Sequence, residues 1–159
     1  MKIRFIPIGT IHTPYKTKEG MPIQSIAAEG IKGSIKLKKK YVKGLLDLEG
    51  FSHIYLIYYF HKSKGLKLLV KPFLDDRLHG IFSTRAPQRP NLIGISVVKL
   101  IRIKDNILEI ENVDMIDGTP LLDIKPYISE FDIHEIVKNG WMNEKKGNFK
   151  EIKSDDRFN

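Results

Sequence analysis

The sequence predicts a mainly β protein, a single-domain small β-barrel with few short helices. Three observations carry this. About seven short segments rich in branched and aromatic residues recur with turn residues between them, the spacing of barrels and sandwiches. Segments with helical periodicity are too few and too short to cover a parallel sheet. No GxGxxG or GxxxxGK(S/T) follows any strand, so neither nucleotide fingerprint is present.

The elements follow in order. Phe5–Ile11 carries branched and aromatic residues around Gly9 and is expected as the first strand. Thr13–Gln24 is a polar loop marked by Pro14, Gly20 and Pro22. Gly33–Leu37 alternates polar and apolar residues and reads as a half-exposed strand. Lys38–Leu46 fits a short helix with Tyr41, Val42, Leu45 and Leu46 on one face, and Gly50 stops it. His53–Phe60 is a nearly continuous apolar run, expected as a central strand buried on both faces. Leu66–Val70 is a further strand closed by Pro72. Ile95–Ile103 places Ile95, Val97, Lys99, Ile101 and Ile103 on one face, and Ile107–Val113 follows across the turn Lys104–Asn106 as its hairpin partner. Thr119–Ile128 reads as irregular or a short helix. Asp132–Asn139 reads as a C-terminal helix with Asp132 as N-cap and Gly140 as its stop. Residues 1–140 are expected as the barrel domain and 141–159 as a charged C-terminal extension, of which Glu144–Asn159 is expected to fray.

A chain of 159 residues is one domain by size. Its net charge of +8 and pI near 9.5 favour a polyanionic partner, nucleic acid ahead of membrane. The plain alternative is a solvated basic surface. The absence of cysteine excludes disulfides, thiolate zinc sites and a cysteine nucleophile, and fits a cytoplasmic protein. The longest apolar stretch, Ile54–Phe60, is far too short to span a bilayer.

The most informative segment is Gly80–Gly94, GIFSTRAPQRPNLIG. Pro87 and Pro90 stiffen the loop, holding Ala86 and Arg89 extended, so the forks of Arg85 and Arg89 are presented rather than left to wander. Asn91 adds a donor and an acceptor. Such a loop suits an anionic ligand or nucleic acid. Three other segments carry polar residues that local structure does not explain: His12–Gln24, the pair His61-Lys62, and the turn from Asp114 to Pro120 with Asp123, Lys125 and Tyr127 after it. Asp117-Gly118-Thr119-Pro120 is equally a plain turn, and Asp123 with Lys125 equally a surface ion pair. The five histidines show no HxH, HExxH or HxxxH grouping, so no metal is expected. The serines lack a GxSxG elbow. Tyr55, Tyr58 and Tyr59 are either stacking platforms or core, with core favoured by the apolar strand they occupy.

Together PIGTIHTPYKTKEGMPIQ, LEGFSHIYLIYYFH, GIFSTRAPQRPNLIGIS and DMIDGTPLLDIKPY, in this order, resemble the TrmO family of tRNA N6-methyltransferases. The resemblance runs from about Phe5 to Tyr127. It implies an S-adenosylmethionine enzyme on a small β-barrel, homodimeric, methylating N6 of threonylcarbamoyl-adenosine next to the tRNA anticodon. It puts cofactor contacts on Pro22, Ile23, Gln24, His61, Lys62, Arg85, Ile95, Asp114, Met115, Ile116, Asp117 and Gly118. Members often carry Arg where this chain has Ile23 and Gln where it has Lys62, and longer bacterial members continue into an extra C-terminal domain. The target nitrogen bears a carbonyl, so its lone pair is delocalised and a base is expected, with His61 and Asp117 as candidates. Arg89 and Asn91 are expected at the substrate, Arg89 reading the threonylcarbamoyl carboxylate. The competing reading is a basic barrel that binds tRNA or a nucleotide without chemistry.

Overall fold

The computed structural model describes residues 1–135, 138–144 and 151–158. Eight strands form: β1 (Gly9–His12), β2 (Lys32–Leu37), β3 (His53–Tyr59), β4 (Leu69–Val70), β5 (His79–Gly80), β6 (Ile93–Lys104), β7 (Ile107–Glu111) and β8 (Thr119–Pro126). Six of them close a barrel in the order β1-β2-β7-β6-β3-β8, while β4 and β5 pair as a separate ribbon. The expected barrel is therefore present, and among the described residues helix is confined to 3-10 turns and the four-residue α1 (Ser129–Asp132). No described helix is long and apolar enough to cross a membrane.

Alternation along the strands builds the core. Ile54, Leu56 and Tyr58 of β3 point inward, directly opposite Val98, Ser96 and Gly94 of β6. Ile11, Ile35, Leu108, Ile110 and Leu121 complete the filling. Gly94 is required by its neighbour across the ladder: a Cβ there would lie 2.3 Å from Cε2 of Tyr58. The ring of Tyr58 occupies that space and meets Phe60 edge-to-face at 5.5 Å. The β6–β7 hairpin forms as expected, with Asp105 at φ 53° supplying the positive φ of a tight two-residue turn.

Five expectations change. β3 is not buried on both faces; its odd positions are half-buried on the outside. The apolar face of β6 lies outside as well: Ile95 is 50% exposed and Ile101 43%, and Lys99 sits among them facing Glu111 at 3.7 Å. Period-two alternation shows that two faces differ, not which one is inside. Thr119–Pro126 is neither irregular nor helical but the strand that closes the barrel, bonded to β1 and β3. Its prolines and charges argue against a strand locally, and pairing on both sides overrides them. Lys39–Leu45 forms a 3-10 turn, and Leu46 is exposed rather than on the packed face with Tyr41 and Leu45. The helix expected over Asp132–Asn139 is replaced by α1, which ends at Asp132; Asp132 instead accepts the backbone N–H of Ile128 at 2.7 Å, and positions 136 and 137 lie outside the described residues.

Residues 151–158 make contacts with the rest of the chain. Ser154 accepts the N–H of Met21 at 2.9 Å, and its hydroxyl donates to the carbonyl of Lys18. Arg157 donates to the carbonyl of Pro72 at 2.6 Å. Phe158 packs edge-to-face on Phe73 at 5.0 Å in a satellite core with Val70, Ile81 and Ala86. These contacts tie the tail to two loops at one end of the barrel.

Candidate functional site

At that end lies a cavity of about 920 Å³. Strand ends and loops supply its wall for a topological reason. The inward ends of β3 and β6 and the start of β8 all finish there, so the segments that follow them converge. Pro22, Ile23, Gln24, His61, Lys62, Arg85, Arg89, Ile95, Asp114, Met115 and Ile116 line this cavity. The structure thus brings together four segments that are spread over more than ninety residues of the chain.

Arg85 donates from Nη1 to Oε1 of Gln24 at 2.7 Å, which aims an otherwise exposed cation. Asp114 faces the same space. Its Oδ1 accepts the hydroxyl of Ser96 at 2.6 Å, and Ser96 Oγ lies 3.0 Å from the hydroxyl of Tyr58. Ser96 has one proton, and it goes to the carboxylate, so Tyr58 donates to Ser96 and the three form one directed chain. Burial pushes the Asp114 carboxyl up to about 6, although Ser96 and the Arg85 charge oppose the rise. Burial, then the Asp114 charge, likewise raises the Tyr58 hydroxyl, so it remains a donor.

His61 lies on the cavity wall with Nδ1 3.5 Å from Oγ1 of Thr119, a long contact. The Thr119 hydroxyl donates to the carbonyl of Ile116 at 2.6 Å, so toward His61 it can only accept. The backbone of Tyr59 also hydrogen-bonds the ring and favours its protonated form. Burial and the neighbouring Lys62 lower the His61 pKa, which keeps the imidazole neutral at neutral pH.

Asp117, Gly118 and Asn91 are not on the cavity wall. Asp117 faces the other way, accepting Lys16 Nζ at 2.6 Å and the N–H of Thr13 at 3.1 Å, with His12 Nδ1 at 3.3 Å. Lys16 holds its carboxyl down at about 2, which makes it a poor base. Its work is to staple the loop after β1 to the turn before β8, assisted by Thr13 Oγ1 on the carbonyl of Met115. Gly118, at φ 78°, supplies the turn. Arg89 braces its own loop through Nη1, which meets the carbonyls of Ile81, Thr84 and Ala86 at 3.1, 2.8 and 3.5 Å, while the side chain lines the cavity. Asp123 and Lys125 form an exposed ion pair at 3.0 Å, as their plain reading has it.

Sequence reasoning missed the partners of Asp114 and the tail residues on the cavity wall, Trp141 and Phe158 among them. Ser96 carried a signal, being a polar residue on a strand face otherwise apolar. Trp141 carried another, as the sole tryptophan and in a charged segment.

Residues 10–133 match the family described as the tRNA-methyltransferase O N-terminal domain. The chain belongs to this family. It is 49% identical over 158 residues to a "Probable S-adenosyl-L-methionine-binding protein" of Pyrococcus abyssi, a match covering 99% of this chain and 86% of that one. It is 38% identical over 133 residues to the mouse tRNA (adenine(37)-N6)-methyltransferase, covering 79% of this chain and 31% of the mouse protein. The crystal structure of TrmO from Pseudomonas aeruginosa superposes with a TM-score of 0.75 at 34% identity, covering 89% of this chain and 63% of that chain. The chain thus spans under a third of the mouse relative and less than two thirds of the solved TrmO chain.

Proposed function

We propose that this chain is an S-adenosylmethionine-dependent tRNA methyltransferase that modifies N6 of the adenosine next to the anticodon, with threonylcarbamoyl-adenosine as its substrate. The observation that carries the reading is the cavity, in which a TrmO-family chain sets an aimed cation, Arg85, and a relayed carboxylate, Asp114, on one wall. That donor set fits a cofactor bearing an α-carboxylate, a positive charge and an adenosine. Arg85 and Gln24 hold the carboxylate, Asp114 meets the ammonium or ribose hydroxyls, and Ile95 and Met115 flank the adenine. The cofactor when bound supplies an electrophilic methyl group on a sulfonium.

The protein's part is positioning and one proton. In-line transfer gains most from holding N6 at the right distance and angle. N6 of a carbamoylated adenosine must lose its proton to become a nucleophile. The His61 imidazole, neutral and on the cavity wall, takes it. Arg89 keeps the loop carrying Arg85 rigid. Lys62, an exposed cation on the cavity wall, is then the partner for the substrate carboxylate.

The reading includes a homodimer and a cytoplasmic location. The apolar outer face of β3 and β6, with Tyr59, Ile95 and Ile101 exposed, supports the dimer. The net charge of +8 supports tRNA as partner. The test is a titration with S-adenosylmethionine, then methyl transfer to tRNA with and without the threonylcarbamoyl group, read by mass of the nucleoside. Cofactor binding and transfer to the modified tRNA are expected. Binding of tRNA with neither cofactor affinity nor transfer would return the chain to a binding module, and equal rates on both tRNAs would overturn the substrate.

A further inference from the structure

The wall of the cavity carries a second set of groups that the cofactor does not need. Phe82 sits at the centre of the 3-10 turn Ile81–Ser83 and is 74% exposed, while its neighbour Ile81 is fully buried. The ring is thus held in solvent at the cavity rim. The guanidinium of Arg89 lies 5.8 Å from the ring centroid. Arg89 is itself fixed to carbonyls of the same turn and loop, so Phe82 is displayed on a stiff support.

Trp141 stands beside it. The indole N–H donates to the carbonyl of Ser83 at 2.9 Å, the residue after Phe82. One indole face stacks on His79 at 4.4 Å and 28°. His79 is in turn held by Asp75 through Nε2 at 3.0 Å. The ring is thus fixed by an edge and a face and still lines the cavity, so its other face is the one a planar ligand can meet. The volume agrees: about 920 Å³ is near the top of the range for one small ligand, roughly 300–1,000 Å³, and leaves room beside the cofactor.

We propose that Phe82 and Trp141 form the seat of the target nucleobase, on which the adenine stacks after it leaves the anticodon-loop stack. This rests on the methyltransferase reading above. A base whose N6 is to react must come out of its stack and be held elsewhere, and aromatic faces hold any base without reading its edge. Stacking here leaves the base edge, with N6 on it, free to face His61.

The chain's single tryptophan makes the seat directly observable. Tryptophan emission is followed with S-adenosylhomocysteine alone, then with an anticodon stem-loop RNA carrying threonylcarbamoyl-adenosine, and with the same RNA abasic at that position. Quenching by the intact RNA and not by the abasic one is expected. Phe82→Ala should raise the KM for RNA, and Trp141→Ala should too, by roughly 5- to 150-fold for one stacked base. Trp141→Phe should restore most of it, and cofactor affinity should stay within twofold in all three. Full quenching by S-adenosylhomocysteine alone would overturn the proposal by giving the ring to the cofactor. Equal quenching by abasic RNA would overturn it by showing loop movement instead. Base-dependent quenching without methyl transfer would sustain the seat and sink the enzymatic reading.

Discussion

Asp114→Asn should make the protein more stable at neutral pH, and the reason lies in what the cavity asks of the carboxylate. The Asp114 carboxyl titrates at about 6 in the fold against 3.8 in a free chain. Two units correspond to about 3 kcal/mol of cost for keeping it ionised at pH 7. Between pH 3.8 and 6 the folded state holds the proton that the unfolded state has lost, so stability falls as pH rises through this window. Below it, wild type and Asp114→Asn should be alike. Above it, the amide should gain about 1–3 kcal/mol, since its oxygen still accepts from Ser96 while its NH₂ group is new to the site. For a chain of this size that is a rise of about 2–12 °C in Tm at pH 7.5. Urea unfolding at pH 4 to 8 measures the difference directly. If the difference between variant and wild type is the same at pH 4 and pH 7.5, Asp114 carries no burial cost and the argument fails. A carboxylate kept against such a cost suits a site that binds a cation. S-Adenosylmethionine affinity should accordingly weaken as pH falls from 7 to 5 in wild type and be flat in Asp114→Asn.

Arg85→Ala should lower cofactor affinity at least tenfold with Tm almost unchanged, because a charge-assisted contact is lost from an exposed residue; isothermal titration decides it. His61→Ala should lower the transfer rate about a hundredfold while leaving cofactor affinity within a few fold. The wild-type rate should also fall on the acid side at a pH below 6.5, where a lowered histidine protonates; a rate independent of pH from 5 to 8 would remove His61 as the base. Gly94→Ala forces a methyl to within 2.3 Å of Tyr58 Cε2 and should cost about 1–3 kcal/mol in urea unfolding.

Much of the site was legible before any coordinates. The arginine loop, Pro22–Gln24, His61-Lys62 and Asp114–Ile116 all reach one cavity; polarity without a local structural use marked the wider segments, and the family resemblance picked out the residues within them. Asp117 and Arg89 stood out by the same criterion and turned out to have structural uses. Their partners, Lys16 and the loop carbonyls, are contacts no spacing rule encodes. β8 was misread for a related reason: Pro120, Asp123, Lys125 and Pro126 each disfavour a strand, and only pairing with both β1 and β3 outweighs them.

The sequence alone determined the β class, the hairpin at Lys104–Asn106, the stiff arginine loop and the basic charge. Each depends on residues close in the chain or on composition, where local sterics and summed charge suffice. Tertiary structure decided which face of β6 is the core, since alternation is symmetric between inside and outside until a partner strand breaks the tie. It decided that Ser96 and Tyr58 sustain Asp114, and that Trp141 returns to the side of Phe82. Those contacts join positions 18 to 58 residues apart, and only closure of the barrel and docking of the tail bring them within hydrogen-bonding distance.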